Sequence, residues 1–179
     1  MVPMVETAEQ ARRIVAAARY PPEGRRGAAF GVAHDDYAGG EVAAKIREAN
    51  REVLLIAQVE TTRGVEAVEE IAAVEGIDVV WIGQADLTTS LEIPGQYGHP
   101  LFHGAVDRVA AACHANGKAL GYLALSIEDA EAMMTRGFRM VAYGGDLWLY
   151  QSALRQGVAA LRAVAGGDGA SDRGGRSGR

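Results

Sequence analysis

The sequence predicts an α/β protein built on a parallel sheet. Three observations carry that prediction. Short apolar runs alternate with segments of helical character along the chain, and regular βα repetition implies parallel strands joined by right-handed crossovers. Two runs, Leu54-Leu55-Ile56-Ala57-Gln58-Val59 and Val79-Val80-Trp81-Ile82-Gly83-Gln84-Ala85, are mostly apolar, as suits strands buried on both faces. Each run stops at an acid, Glu60 and Asp86 respectively. The C-terminal ends of parallel strands are where α/β folds keep their chemistry.

Taken in order, Met1 to Val5 reads as a strand. Thr7 can N-cap a helix from Ala8 to Arg19, with Gln10 three residues on as the capping-box partner. Tyr20 to Gly27 is a Pro/Gly/Arg loop, and Glu41 to Arg51 reads as a helix. The first acidic strand follows and ends at Glu60. Thr61 or Thr62 caps a helix from Val65 to Val74, which Gly76 ends, and the second acidic strand runs to Asp86. Pro100 opens a helix to about Asn116 with Gly117 as its C-cap. Ala119 to Leu125 is a strand. Ser126 caps a helix from Ile127 to Arg136, with Asp129 as an acidic partner three residues on. Met140 to Tyr143 is a strand, and a last helix runs from Leu147 to about Val164. Residues 166–179 hold only Gly, Ala, Ser, Asp and Arg. Such a tail has little to bury and is expected to be disordered.

That makes five strands, each followed by a helix. A closed (β/α)₈ barrel needs eight. A doubly wound sheet can use five, but no Gly-rich phosphate loop follows the first strand. The chain also begins inside a strand, so N-terminal units are expected to be missing.

Composition bounds the function classes. The 179 residues suit one domain, 1–165 before the tail. Hydrophobic residues make up 49%, enough for a core, and the net charge is −5, which argues against a nucleic-acid or anionic-membrane partner. The single Cys113 excludes an intramolecular disulfide and fits a reducing cytoplasm. It lies in the apolar stretch Val109 to Cys113 and reads as a buried structural thiol. No signal peptide is visible, and no apolar run approaches the roughly 20 residues that span a bilayer.

The two acids suggest a metal site. Glu60 and Asp86 on consecutive strands can share one divalent cation, and oxygen-only ligation suits Mg²⁺, Mn²⁺ or a similar hard ion. Period-two alternation puts Gln58 on the same face as Glu60, where it can orient a ligand or water. Gly83 allows close backbone approach, and the amides of Ala85 and Asp86 can form an anion nest. Asp86 can equally be an N-cap. Arg25 or Arg26 can clamp an anionic substrate or belong to a solvated turn. Asp146 reads best as an N-cap. His34, His99, His103 and His114 form no cluster by spacing, and Trp148 and Tyr150 read as packing residues, with a subunit contact as one place for that packing.

Four ordered motifs, Val2-Pro3-Met4-Val5-Glu6-Thr7, Arg19 to Gly27, Gln58-Val59-Glu60-Thr61 and Gly83-Gln84-Ala85-Asp86-Leu87, closely resemble the HpcH/HpaI family of class II pyruvate aldolases. The resemblance extends to about Ala163. It implies a TIM (β/α)₈ barrel of the phosphoenolpyruvate/pyruvate superfamily type, of which this chain holds about five units, strands four to eight. It implies reversible cleavage of a 2-keto-4-hydroxy acid to pyruvate and an aldehyde. It also implies a homo-oligomer, a hexamer built from dimers that exchange their last helices. By the same resemblance Glu60 and Asp86 bind Mg²⁺, Mn²⁺ or Co²⁺, Gln58 lines the site, and the amides of Ala85 and Asp86 hold the pyruvate carboxylate. No Schiff-base lysine is required, and the chain offers only Lys45 and Lys118.

Two departures stand out. The family's acid–base His and enolate-stabilising Arg lie in units that have no counterpart here. Gln84 stands where the family commonly has Pro, an exchange expected to loosen the carboxylate-binding turn. Two other readings remain beside the aldolase: a citrate-lyase-like acyl-CoA lyase, and an inactive barrel fragment that survives by assembly, because an open barrel exposes two sheet edges.

Overall fold

The computed structural model describes residues 1–167. Four short strands form one sheet in the order β1 (Ile56–Val59), β2 (Val79–Ile82), β3 (Ala119–Ala124), β4 (Met140–Tyr143). β1 pairs β2 in parallel, with Ile56 opposite Val79 and Val59 opposite Ile82, and β2 pairs β3 in parallel. Between and around them lie α1 (Ala8–Ala18), α2 (Val42–Glu52), α3 (Thr62–Glu66), α4 (Val68–Ala72), α5 (Gln84–Ser90), α6 (Pro100–Ala115) and α7 (Ile127–Thr135). The last helix is α8 (Asp146–Gly167). Strands in sequence order, joined by helices, make an α/β partial barrel.

The local helix signals hold. Thr7 accepts from the Gln10 N–H at 3.2 Å, and the Gln10 side chain accepts from the Thr7 N–H at 3.1 Å, closing the capping box of α1. Pro100 sits at the first turn of α6, where its missing N–H costs nothing. Gly117, at φ +65, turns the chain out of that helix. Ser126 caps α7 by accepting from the Asp129 N–H. Asp129 reaches back one residue further than expected, to the Leu125 N–H at 2.9 Å.

Other boundaries move. Met1 to Val5 is not a strand but a single bridge between Val2 and Ala57. Met4 turns to φ +56, so the ladder breaks there. The sheet therefore has four strands among the described residues rather than five. Glu41 is the N-cap of α2 rather than its first residue, accepting from the N–H groups of Ala43 and Ala44. The single helix expected from Val65 to Val74 begins earlier, at Thr62, and is broken at Ala67 into α3 and α4. β2 stops at Ile82, and Gln84 begins α5, a helix absent from the sequence reading. The last helix starts at Asp146 and runs through Gly167. Beyond residue 167 the expected tail lies outside the described residues.

Strand alternation divides the sheet into two apolar faces. Ala57, Val59, Val80, Ile82, Leu120 and Tyr122 belong to the main core with Val68, Ile71, Phe102, Val106 and Val109 from the helices. Burying each such Val, Ile or Phe contributes about 1.5–3 kcal/mol relative to exposure. The opposite face carries Ile56, Val79 and Trp81, packed with Ala119, Leu123 and Met140. By the period of two, this second face is the one that Gln58, Glu60 and Gly83 share.

The chain divides into two compact units, Met1–Ala142 and Tyr143–Arg179. The boundary falls inside the 1–165 span that the sequence assigns to one barrel domain. In the second unit α8 leaves Leu147, Trp148, Tyr150, Leu154, Leu161 and Val164 exposed. Trp148 and Tyr150 are 57% and 65% exposed.

Candidate metal and carboxylate site

Glu60 follows the last residue of β1 and is only 2% exposed. Its Oε1 accepts from the Met4 backbone N–H at 2.8 Å. Its Oε2 accepts from the Gln58 carboxamide Nε2. Gln58 and Glu60 thus meet on one face, two residues apart. Among the described residues no Lys, Arg or His lies within ion-pair distance of Glu60. Burying a carboxylate without a cation is costly.

Gly83 completes this corner. Register extends from Val59 opposite Ile82 to Glu60 beside Gly83. A β-carbon on Gly83 would overlap Glu60 Oε2 and come within 2.8 Å of Gln58 Nε2 and of Glu60 Cβ. Only a residue without a side chain fits against that carboxylate.

Asp86 is placed differently from expectation. It is neither at a strand end nor an N-cap. Gly83 is the cap residue of α5, without a side-chain cap bond, and Asp86 is exposed in the first turn beside exposed Ala85. An acid in the first turn is favoured by the helix macrodipole. Asp86 makes no side-chain hydrogen bond or ion pair among the described residues, so its carboxylate is free to take a ligand. The N–H groups of Gln84, Ala85 and Asp86 precede the first intrahelical bond, which the Leu87 N–H makes to the Gly83 carbonyl at 2.9 Å.

The expected loosening at Gln84 is not what the structure holds. Gln84 is buried, and its Nε2 donates to the Leu123 carbonyl of β3 at 2.6 Å. Where a proline would stiffen the backbone, this side chain ties the start of α5 to the next strand. At its other end, Ser90 Oγ accepts from the Thr62 N–H at 2.9 Å, tying α5 to α3. The Thr61 hydroxyl caps α3 and donates to Glu6 Oε1 at 2.9 Å.

The remaining candidates lie elsewhere. Arg26 stacks over the Tyr20 ring, 4.5 Å from its centroid. Arg25 lines a cleft of about 400 Å³ with Val2, Met4 and Ile14. His34 contacts the Tyr20 hydroxyl at 3.4 Å, His103 pairs with Arg136, and His99 caps α6 through Nδ1. Lys45 is held by Asp35 at 2.7 Å, and Lys118 by the Val74 carbonyl. Asp146 accepts from the Leu147 N–H within its own helical turn. Cys113 is fully buried, and burial pushes its thiol up to about 12, which makes it inert.

Glu60 and Asp86 offer hard oxygens, the Gln58 carboxamide lies against Glu60, and a buried carboxylate with no cationic partner among the described residues is a fitting partner for a hard cation. Among the described residues no group of three or more His, Cys, Asp or Glu forms a metal cluster. A cation here would complete its shell with water or substrate oxygens. The sequence reading missed the Met4 N–H and the Gln84 side chain. Pro3 inside an apolar run was the available signal for the first.

Comparison with known proteins gives the family. A 2-keto-3-deoxy-L-rhamnonate aldolase of Klebsiella pneumoniae subsp. pneumoniae is 42% identical over 163 residues, covering 91% of this chain and 61% of the relative. The crystal structure of an HpcH/HpaI aldolase from Desulfitobacterium hafniense DCB-2 superposes with a TM-score of 0.85 at 32% identity, over 90% of this chain and 62% of that one. An HpcH/HpaI aldolase/citrate lyase family protein from Burkholderia cenocepacia J2315 gives 0.83 at 36% identity, over 90% and 64%. The chain thus spans about three fifths of the length of the relatives it matches. The family's own sequence profile matches residues 1–153, and the chain belongs to the HpcH/HpaI aldolase/citrate lyase family.

Proposed function

We propose that this chain carries the metal- and carboxylate-binding part of a class II aldolase that cleaves a 2-keto-4-hydroxy acid to pyruvate and an aldehyde. The observation that carries the reading is the buried Glu60 carboxylate, with no cationic side chain near it among the described residues and with Gln58 and Met4 holding its two oxygens. The name of the 42% identical relative supports a 2-keto-3-deoxy sugar acid as the substrate class.

Glu60 and Asp86 hold the divalent cation, Mg²⁺, Mn²⁺ or Co²⁺. When bound, the cation supplies positive charge where negative charge develops on the 2-keto oxygen. Gln58 keeps Glu60 oriented and lines the site. Gly83 leaves room for the carboxylate. The N–H groups of Ala85 and Asp86 face the carboxylate of the keto acid, with Gln84 fixing the start of their turn against β3. Homo-oligomeric assembly belongs to the same reading. The exposed apolar residues of α8, Leu147, Trp148, Leu154 and Leu161, support exchange of the last helix between subunits.

The test is pyruvate release from 4-hydroxy-2-oxo acids by the 179-residue chain with Mn²⁺ or Mg²⁺, coupled to lactate dehydrogenase. Release that EDTA abolishes is the expected result for an active chain, and would mean that the acid–base groups come from unassigned residues or a neighbouring subunit. A folded chain that neither releases pyruvate nor binds Mn²⁺ would overturn the reading. Mn²⁺ binding without turnover would leave it as the binding part alone.

A further inference from the structure

Val2 is paired regularly with Ala57. Its N–H donates to the Ile56 carbonyl at 2.9 Å, and its carbonyl accepts from the Gln58 N–H at 2.9 Å. In an uninterrupted parallel ladder the next N–H facing that strand, two residues on, would be that of Met4, and it would donate to the Gln58 carbonyl. Instead the Val5 N–H takes that carbonyl, at 3.0 Å. One extra residue has been inserted at Pro3–Met4, a bulge in a parallel pair. Its effect is to release the Met4 N–H from the ladder and deliver it to Glu60 Oε1 at 2.8 Å.

The bulge has a backbone cost. Met4 stands at φ +56, the left-handed region that L-residues rarely adopt. Its side chain does not explain this, being 51% exposed. Pro3 contributes by having no N–H to pair, so the insertion leaves no orphan donor there. What the conformation gains is one directed hydrogen bond to a buried carboxylate. With Met4 on Oε1 and Gln58 on Oε2, two of the roughly four acceptor positions of the carboxylate are occupied, and the direction of the others is set.

We infer that Met4 is a positioning residue for Glu60, acting through its backbone N–H on a left-handed bulge. It aims the free lone pairs of Glu60 at the cation site. The inference rests on the reading of Glu60 as a cation ligand, and the test separates the two.

Mn²⁺ affinity is measured by calorimetry on the full 179-residue chain and three derivatives, with far-UV circular dichroism as the check on folding. Replacing the residue-4 amide by an ester puts an oxygen where the N–H stood and leaves every side chain unchanged. Met4→Gly keeps the N–H and relaxes the backbone. Met4→Val keeps the N–H, but its β-branch opposes positive φ. The ester and Met4→Val are expected to weaken Mn²⁺ binding about tenfold or more, the usual scale for groups that orient a metal ligand. Met4→Gly is expected to weaken Mn²⁺ binding less than Met4→Val does. A purely structural bulge would lower the melting temperature yet leave the Mn²⁺-induced rise in that temperature unchanged, whereas positioning shrinks that rise. Ester and unaltered chains binding Mn²⁺ equally would overturn the inference alone. Should the ester chain fail to fold, equal affinity of Met4→Gly and Met4→Val overturns it. An unaltered folded chain that does not bind Mn²⁺ would overturn the Glu60 reading and this inference together.

Discussion

Gly83 lies against the carboxylate of Glu60 so closely that any β-carbon at residue 83 would overlap Glu60 Oε2. The contact crosses from the end of β2 to the end of β1, and it exists because the two strands pair in register up to Val59 and Ile82. Gly83→Ala is therefore expected to push Glu60 off the Gln58 and Met4 donors. Overpacking of this kind costs about 1–3 kcal/mol. Urea denaturation should show that loss, and Mn²⁺ titration a parallel loss of affinity. An alanine variant equal to the parent in both would contradict the geometry.

Glu60→Gln removes a buried carboxylate that has no cationic neighbour among the described residues. The metal-free variant breaks no ion pair, and its carboxamide can keep the Met4 N–H on its oxygen while Gln58 turns its own oxygen to the new NH2, so stability should stay within about 1 kcal/mol of the parent. Its Mn²⁺ affinity should fall more than about 100-fold, beyond the usual effect of an outer-shell change. Asp86→Asn, at an exposed position, should leave stability within about 0.5 kcal/mol while also weakening Mn²⁺ binding. Thermal unfolding with and without Mn²⁺ measures both. Full metal affinity in either variant would remove that residue from the ligand set.

Asn50 is 2% exposed and holds the Tyr20 backbone from both sides. Its Oδ1 accepts from the Tyr20 N–H at 2.7 Å, and its Nδ2 donates to the Tyr20 carbonyl at 3.0 Å. Asn50→Ala leaves the buried Tyr20 N–H unpaired, while the Tyr20 carbonyl keeps its bond from the Gly24 N–H at 3.1 Å. A loss of about 1–3 kcal/mol is expected by chemical denaturation. A change under 0.5 kcal/mol would mean that water replaces the amide at no cost.

Asp35 is held down to about 2, first by the Lys45 ammonium and then by the Gly31 N–H. A carboxyl lower in the folded state than its ordinary 3.8 favours the fold above that value. Its contribution fades as pH falls toward 2. Hydrogen exchange of the Gly31 and Val32 amides, both bonded to Asp35, should therefore accelerate relative to the core between about pH 4 and 2. Asp35→Asn should remove that acid-dependent step. Protection unchanged across this window would show that Lys45 does not hold the loop.

The sequence by itself determined what depends on neighbours a few residues apart. The Thr7–Gln10 capping box, Pro100 at the head of α6, the Ser126 cap of α7 and the shared face of Gln58 and Glu60 all follow from fixed helical or strand periods. The alternation of strand and helix, and with it the α/β class, was legible for the same reason. α5 was not, because Gln84–Ser90 is seven residues long and Thr- and Ser-rich, with too few turns to show a period. Only the tertiary structure decided the environment of Glu60. The Met4 N–H reaches it from 56 residues away in sequence, and Gly83 reaches it across a strand pair. Both depend on parallel register and on one inserted residue at Pro3–Met4. Register is a property of two strands at once, and no local pattern in either strand encodes it.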